Sequence, residues 1–525
     1  MRNRYYECPD VLPEGAYWKS PFNWAVGCTS YPIFGANGKP LLNQGECGKE
    51  GNPCDVKTGD KTETETDYDD SWLSFSRTYH SMFQAPASGM GTGWSHEYSL
   101  QVVLNTANNA YAYGIIDGSG YIEPMNTYAA SSYRSIKEVD DKAHLKRLST
   151  EWELIKSDRK DYFNFDGKLI RREMNTGPIL TFSYNGSGQL EIITDEAVRT
   201  LTLGYNTNGN IDTVTRPDNL DITYHYDSSN NLTQVDYPDG TTKTYHYEDT
   251  NFPNHLTGIT DERGNRSYYA YDATTGQATS TTPVGNVGAK SFEYQAAKTI
   301  VTDSKGEIRE YSINTFYNAF NSIIDVCNGC DDNVVSYWNS WYGLQQITDN
   351  GIKTYFYRYH DPYYRPMYKI EAYQKPEARR TDYVYDSRFT DDRTTEIREH
   401  SIISTSTSGA CTEGSNCNVT NSTYDDAGNL LSRTVSGYEP DGTAISRTTT
   451  WQYLGPYGQL SKIDGPRTDV SDITTLEYYL DDVSEGHNRG RLKKVTLANG
   501  IVQRDNIQYS ATGKILSEDR PNGES

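Results

Sequence analysis

The chain reads as all-β, an antiparallel β-ribbon built from short repeats. Three observations carry that reading. Tyr184, Tyr205, Tyr226 and Tyr247 are each 21 residues apart, and Tyr271 follows after 24. The residues around them return as well. Ile211-x-x-Val214-x-x-Pro217-Asp218 leads to Tyr224-His225-Tyr226-Asp227, and Leu232-x-x-Val235-x-x-Pro238-Asp239-Gly240 leads to Tyr245-His246-Tyr247. Turn residues interrupt each period twice. A fixed period of this size marks a repeat architecture, which has to be read before any local motif.

Each period predicts two strands and two turns. Tyr245 and Tyr247 are two apart, so a strand points both to one face. Pro238-Asp239-Gly240 predicts a hairpin turn, in which proline presets φ and Gly240 takes φ > 0 without a steric penalty. The second turn lies between repeats, as in Tyr205-Asn206-Thr207-Asn208-Gly209-Asn210-Ile211. In the Tyr226 repeat Asn230 takes the glycine place, and asparagine is the next most tolerant residue there. A single hairpin cannot bury its apolar face, so neighbouring repeats must stack edge to edge.

In chain order, residues 1–43 form a Cys/Pro/Gly-rich segment without visible repeats, and residues 44–150 a β module. Residues 151–525 are the ribbon, with insertions near 312–345 and 402–420. Weaker copies recur at Phe163-Asn164-Phe165, Tyr383-Val384-Tyr385-Asp386, Trp451-Gln452-Tyr453 and Tyr509. Pro521-Asn522-Gly523 aligns with Pro238-Asp239-Gly240. The ribbon is therefore expected to continue beyond residue 525, or to pair its edge with its own C-terminal region or another copy.

These residues resemble the Rhs, or YD-repeat, proteins. Gly51-Asn52-Pro53-Cys54-Asp55, the acidic Thr/Glu run after it, Leu73-Ser74-Phe75-Ser76-Arg77-Thr78-Tyr79 and Gly93-Trp94-Ser95-His96 look like the module that precedes YD repeats in that family. The resemblance implies a ribbon spiralling into a hollow shell. In such proteins the shell encloses a C-terminal toxin or presents a surface for adhesion. The C-terminal motifs that close the shell and release the toxin are not seen in residues 1–525.

Eight cysteines point to an oxidising compartment. Cys8, Cys28, Cys47 and Cys54 are expected to staple the irregular N-terminus by disulfides, and Cys411 and Cys417 to close a short loop. Cys327-Asn328-Gly329-Cys330 admits a tight disulfide, half a zinc site or a redox pair; neither a second CxxC nor a helix start supports the last two. No signal peptide is visible at Met1-Arg2-Asn3-Arg4.

The net charge of −22 disfavours nucleic acid as a partner. No apolar run approaches the ~18 residues of a membrane span. Tyrosine dominates the aromatics, 44 against 13 Phe and 8 Trp; its ring packs while its hydroxyl finds a partner, which suits a thin wall. His225 and His246 stand 21 apart, yet read as ordinary repeat positions rather than ligands. Asp69-Asp70, Asp331-Asp332 and Asp391-Asp392 read as solvated turn charges. No nucleophile elbow, phosphate loop or metalloprotease motif occurs. The expected function is a structural shell segment of a secreted bacterial protein that encloses or displays a polypeptide. It is not an enzyme and needs no cofactor or metal. The alternative is a cell-surface adhesin or carbohydrate-binding protein that recognises a sugar or surface receptor.

Overall fold

The structure is a computed structural model. It describes residues 49–50, 54–70, 72–82, 88–104, 113–116, 118, 122–129, 132–135, 144–156, 158–174, 178–314, 319–326, 333–339, 343–349, 352–357, 365–389, 393–401, 417–439, 441–455 and 458–521. Among the described residues the only helical pieces are short 3-10 turns at Val284–Asn286, Val483–Asn488 and Ala498–Gly500. From Gln101–Leu104 to Ile515–Asp519, each strand pairs antiparallel with the next in sequence. The first course of this meander curls back on itself. Gln101 bridges Lys168, and the Val102 N–H donates to Gly167 O across 3.0 Å.

The repeat turns follow the sequence pattern. Strands Leu232–Asp236 and Thr242–His246 are joined through Gly240, at φ 85°, whose N–H donates to Tyr237 O at 2.9 Å. Asn230 occupies the glycine place of its repeat at φ 65°. In the Tyr184 repeat that place belongs to Gly188, at φ 78°, rather than to Gly186.

A bulge precedes four of the five repeat tyrosines. The pairing register shifts between Ser183 and Tyr184, Gly204 and Tyr205, His225 and Tyr226, and Ala270 and Tyr271. Such a bulge re-aims the side chain that follows it. These re-aimed hydroxyls staple their repeats to the ones before. Tyr184 donates to Leu169 O at 2.8 Å, Tyr205 to Leu190 O at 2.6 Å, Tyr226 to Ile211 O at 2.8 Å and Tyr271 to Leu256 O at 2.6 Å. Tyr478 and Tyr509 do the same to Leu460 and Leu492. Burial holds the Tyr184, Tyr205 and Tyr226 hydroxyls well above the usual range, so they stay neutral donors.

One expectation fails at the N-terminus. Cys54 is a free thiol with no exposed surface, packed with Val56, Ala278, Phe292, Val301 and Tyr311. Burial pushes its pKa up to about 12. It is a small apolar core residue, so the expected disulfide-stapled N-terminus is not supported where the structure describes it. Cys8, Cys28 and Cys47 lie outside the described residues, as do Cys327, Cys330 and Cys411. Cys417 is disulfide-bonded to a partner outside the described residues.

Candidate functional site

Strands Thr62–Asp69, Ser74–His80 and Trp94–His96 form a small antiparallel sheet that packs on the ribbon. Strand Thr62–Asp69 alternates its faces, as a strand must. Thr64 and Thr66 are exposed, and their hydroxyls pair with Thr78 and Ser76 at 3.3 and 3.0 Å. Glu63, Glu65 and Asp67 lie on the other face, against the ribbon.

Residues 54–70 run across the ribbon as a spine, meeting successive repeats in reverse order. Asp70 meets Arg199, Asp67 meets Tyr224 and Tyr237, and Glu65 meets Lys243. Next, Glu63 meets Tyr269, Thr58 O accepts from Gln277, and Val56 O accepts from Thr299. Two strands at about 4.8 Å make each repeat about 10 Å deep, so a strand rising 3.3 Å per residue should cross roughly one repeat per three residues. The observed order fits that pitch.

At the centre lies a buried polar lock. Asp67 accepts from Arg77 Nε at 2.7 Å and Nη2 at 3.1 Å, from the Tyr224 hydroxyl at 2.9 Å and from the Tyr237 hydroxyl at 2.8 Å. Arg77 also donates to the Tyr245 hydroxyl, and its guanidinium lies 4.6 Å from the Trp94 ring centroid. Neither Asp67 nor Arg77 exposes any side-chain surface. Ion pairs this deep persist only when the remaining polar atoms are also bonded, and the tyrosines bond most of them.

Two further contacts flank the lock. Tyr79 donates its hydroxyl to Asn254 O at 2.9 Å and accepts from Leu256 N at 2.8 Å. Asn254 belongs to the extra residues that stretch one period to 24, so the irregular spacing is a docking loop. His255 in that loop stacks on Phe252 with ring centroids 4.7 Å apart, and His96 stacks on Phe75 at 5.5 Å. Burial lowers the pKa of each histidine to about 4. On the other side Asp70, which is buried, accepts from Arg199 at 3.2 Å and Arg491 at 3.1 Å. Its expected role as a solvated turn charge is therefore overturned: two guanidinium groups and the N–H groups of Trp72 and Leu73 replace water around it.

Of the candidate residues, Tyr205, Tyr226, Tyr247 and Tyr271 pack against the same core as the lock, whereas Gly240 lies in an open turn. His225 pairs with Asp236 at 2.7 Å and His246 with Thr260 at 2.8 Å, so the two histidines do not share a ligand. Asp331-Asp332 and Asp391-Asp392 lie outside the described residues. Among the described residues no cluster of His, Cys, Asp and Glu could hold a metal, and no helix is long and apolar enough to cross a membrane. The sequence reading missed Asp67, Arg77, Asp70 and Arg491. One signal was present: Arg77 sits in the alternation Leu73-x-Phe75-x-Arg77-x-Tyr79, at a position that should face a core.

The fold and the lock define a repeat-built β-ribbon scaffold with its N-terminal module docked on one face. A family model described as RHS Repeat matches residues 205–242, and a domain of unknown function, DUF6531, matches residues 51–122. Residues 205–242 are thus an RHS, or YD, repeat, which supports the resemblance of the chain to that family. No curated protein matches it. Among solved structures it is similar to a Photorhabdus luminescens Tc holotoxin pore with a mutated TccC3, at 12% identity and TM-score 0.43, over 88% of this chain and 30% of that one. It is also similar to TcdB2-TccC3-Cdc42, at 12% identity and TM-score 0.42, over 87% of this chain and 30% of that one. For TcdB2-TccC3-TEV the values are 12%, 0.42, 91% and 31%. The chain thus spans about a third of the length of these three solved chains.

Proposed function

We propose that this chain is a wall segment of a hollow shell, in a secreted protein that encloses or displays a polypeptide. The observation that carries this reading is the spine: residues 54–70 hold successive repeats in a fixed order along one ribbon face. The closure of Gln101 on Lys168 supports it, because a ribbon that meets itself encircles a volume. The repeat tyrosines have a structural role, with hydroxyls committed to backbone carbonyls. That leaves them poorly placed to stack on sugars, which weighs against the adhesin reading. The disulfide at Cys417 suits an extracellular setting.

Protease protection of the full-length protein tests enclosure. Any polypeptide downstream of the ribbon should resist protease until denaturant opens the wall. Cleavage of that polypeptide at the rate of its isolated form would remove the enclosure reading and leave display.

A further inference from the structure

We propose that Asp70 is a clasp that fastens a late course of the ribbon, around residues 478–519, to the N-terminal module, and that this course can swing free while the rest stays folded. The geometry is a three-part junction. Asp70 Oδ2 accepts from Arg199 Nη1 at 3.2 Å, on the early ribbon, and from Arg491 Nη2 at 3.1 Å, on the late ribbon. Arg491 Nη1 also donates to Asp70 O at 3.4 Å. The Trp72 ring has both guanidinium groups near it, Arg199 at 4.7 Å and Arg491 at 5.5 Å. Arg491 in turn lies 5.3 Å from the Tyr509 ring, and a Cβ added to Gly513 would stand 2.9 Å from Asp70 Cβ. Asp70 exposes no side-chain surface and Arg491 exposes 5%.

The two sides of this junction are held very differently. The early ribbon is welded to the module by a continuous apolar core, which runs from Tyr68 through Leu201, Ile222 and Tyr245 to Tyr269. A second cluster ends at Tyr311. Among the described residues the late ribbon adds no side chain to either cluster. Among the described residues, its side-chain contacts with the module centre on Asp70 and Trp72. Apolar cores come apart cooperatively, whereas a junction resting on one carboxylate opens as a local event. Removing that carboxylate leaves Arg491 buried without its counter-charge, which drives it toward water. Such a hinge has a use only if the wall encloses something, so its meaning rests on the shell reading.

Hydrogen exchange on the whole chain tests the clasp by itself. In Asp70→Asn, amides across residues 478–519 should exchange about ten- to a hundredfold faster, the scale of a lost charged hydrogen bond, while residues 200–271 keep their protection. Arg491→Ala should reproduce the pattern without touching the Arg199 contact. Unchanged exchange at 478–519 in both variants would overturn the clasp. So would equal loss of protection in both regions, because the late course would then not move as a separate unit. Failure of the protease experiment with a positive exchange result would remove enclosure and leave the clasp standing.

Discussion

Trp94 donates its indole N–H to the hydroxyl of Tyr247 across 2.9 Å, although the two residues are 153 apart in sequence. Tyr247 is the repeat tyrosine that breaks the staple pattern: its hydroxyl serves the docked module where those of Tyr205 and Tyr226 serve the preceding repeat. Trp94→Phe should therefore destabilise the protein by about 1–3 kcal/mol, the cost of leaving a buried hydroxyl short of a partner. Trp94→Phe in a Tyr247→Phe background should cost less. Urea unfolding of the four proteins in the cycle measures this, and strict additivity would show that the bond carries no coupling.

The lock predicts an asymmetry. Arg77→Ala should cost about 3–5 kcal/mol, because Asp67 stays behind as a buried charge. Replacing both Arg77 and Asp67 with apolar residues of similar volume should be milder than Arg77→Ala alone. Denaturant midpoints decide it; a double variant worse than the single one would mean the pair contributes more than charge compensation.

His96 and His255 predict acid sensitivity. Both are held neutral by burial, with pKa values near 4 against 6.5 when unfolded. Between those values the unfolded chain binds protons that the native chain refuses, so stability falls as pH drops from about 6.5 toward 4. Asp249 and Asp60 face His255 and soften its shift without cancelling it. Each histidine contributes on the order of 3 kcal/mol across the window. Thermal melts from pH 7.5 to 5 should show a steeper fall in the unmodified protein than in His255→Phe.

Gly240→Val should lower the melting temperature more than Gly186→Val. Space is open at both glycines, but Gly240 sits at φ 85° and Gly186 is not at positive φ. The difference is therefore backbone strain alone, about 1–3 kcal/mol for a β-branched residue. Gly188→Val, at φ 78°, should cost at least as much, because its Cβ would also stand 2.6 Å from Lys168 Nζ and displace it.

Cys54 should resist alkylation in the native protein and react once denaturant exposes it, since the thiolate is the reactive form. Peptide mapping without reductant should also identify the partner of Cys417, for which Cys411 is the expected residue. A Cys54 that reacts at the rate of a model thiol would place it at the surface.

The local half of this architecture was legible because its causes are local. A tyrosine strand, a Pro-Asp-Gly turn and an asparagine standing in for glycine at position 230 are each determined by a few neighbouring residues. The module's docking was not legible, because Asp67 finds Tyr224 and Tyr237 through long-range packing that leaves no period in the sequence. The 24-residue gap before Tyr271 was visible as an irregularity, yet it gains meaning only once Tyr79 is set against Asn254 and Leu256. Asp70 was misread for a related reason. A pair of adjacent aspartates looks solvated until two arginines, from positions 199 and 491, are folded onto one of them. Cys54 was misread because clustering with other cysteines suggests pairing, while burial among apolar side chains gives the same residue a different use.

A segment laid across successive repeats in a fixed order is also a ruler. Between residues 199 and 299 each repeat must present its partner at the next mark on residues 54–70, so duplicating or deleting one 21-residue unit there would shift every later contact off its mark. Beyond Tyr311 that gauge stops, and copy number is constrained only by the need to return an arginine to Asp70. Changes in ribbon length should then be tolerated late in the chain and selected against early, and the ribbon can be lengthened without redesigning the end that starts it.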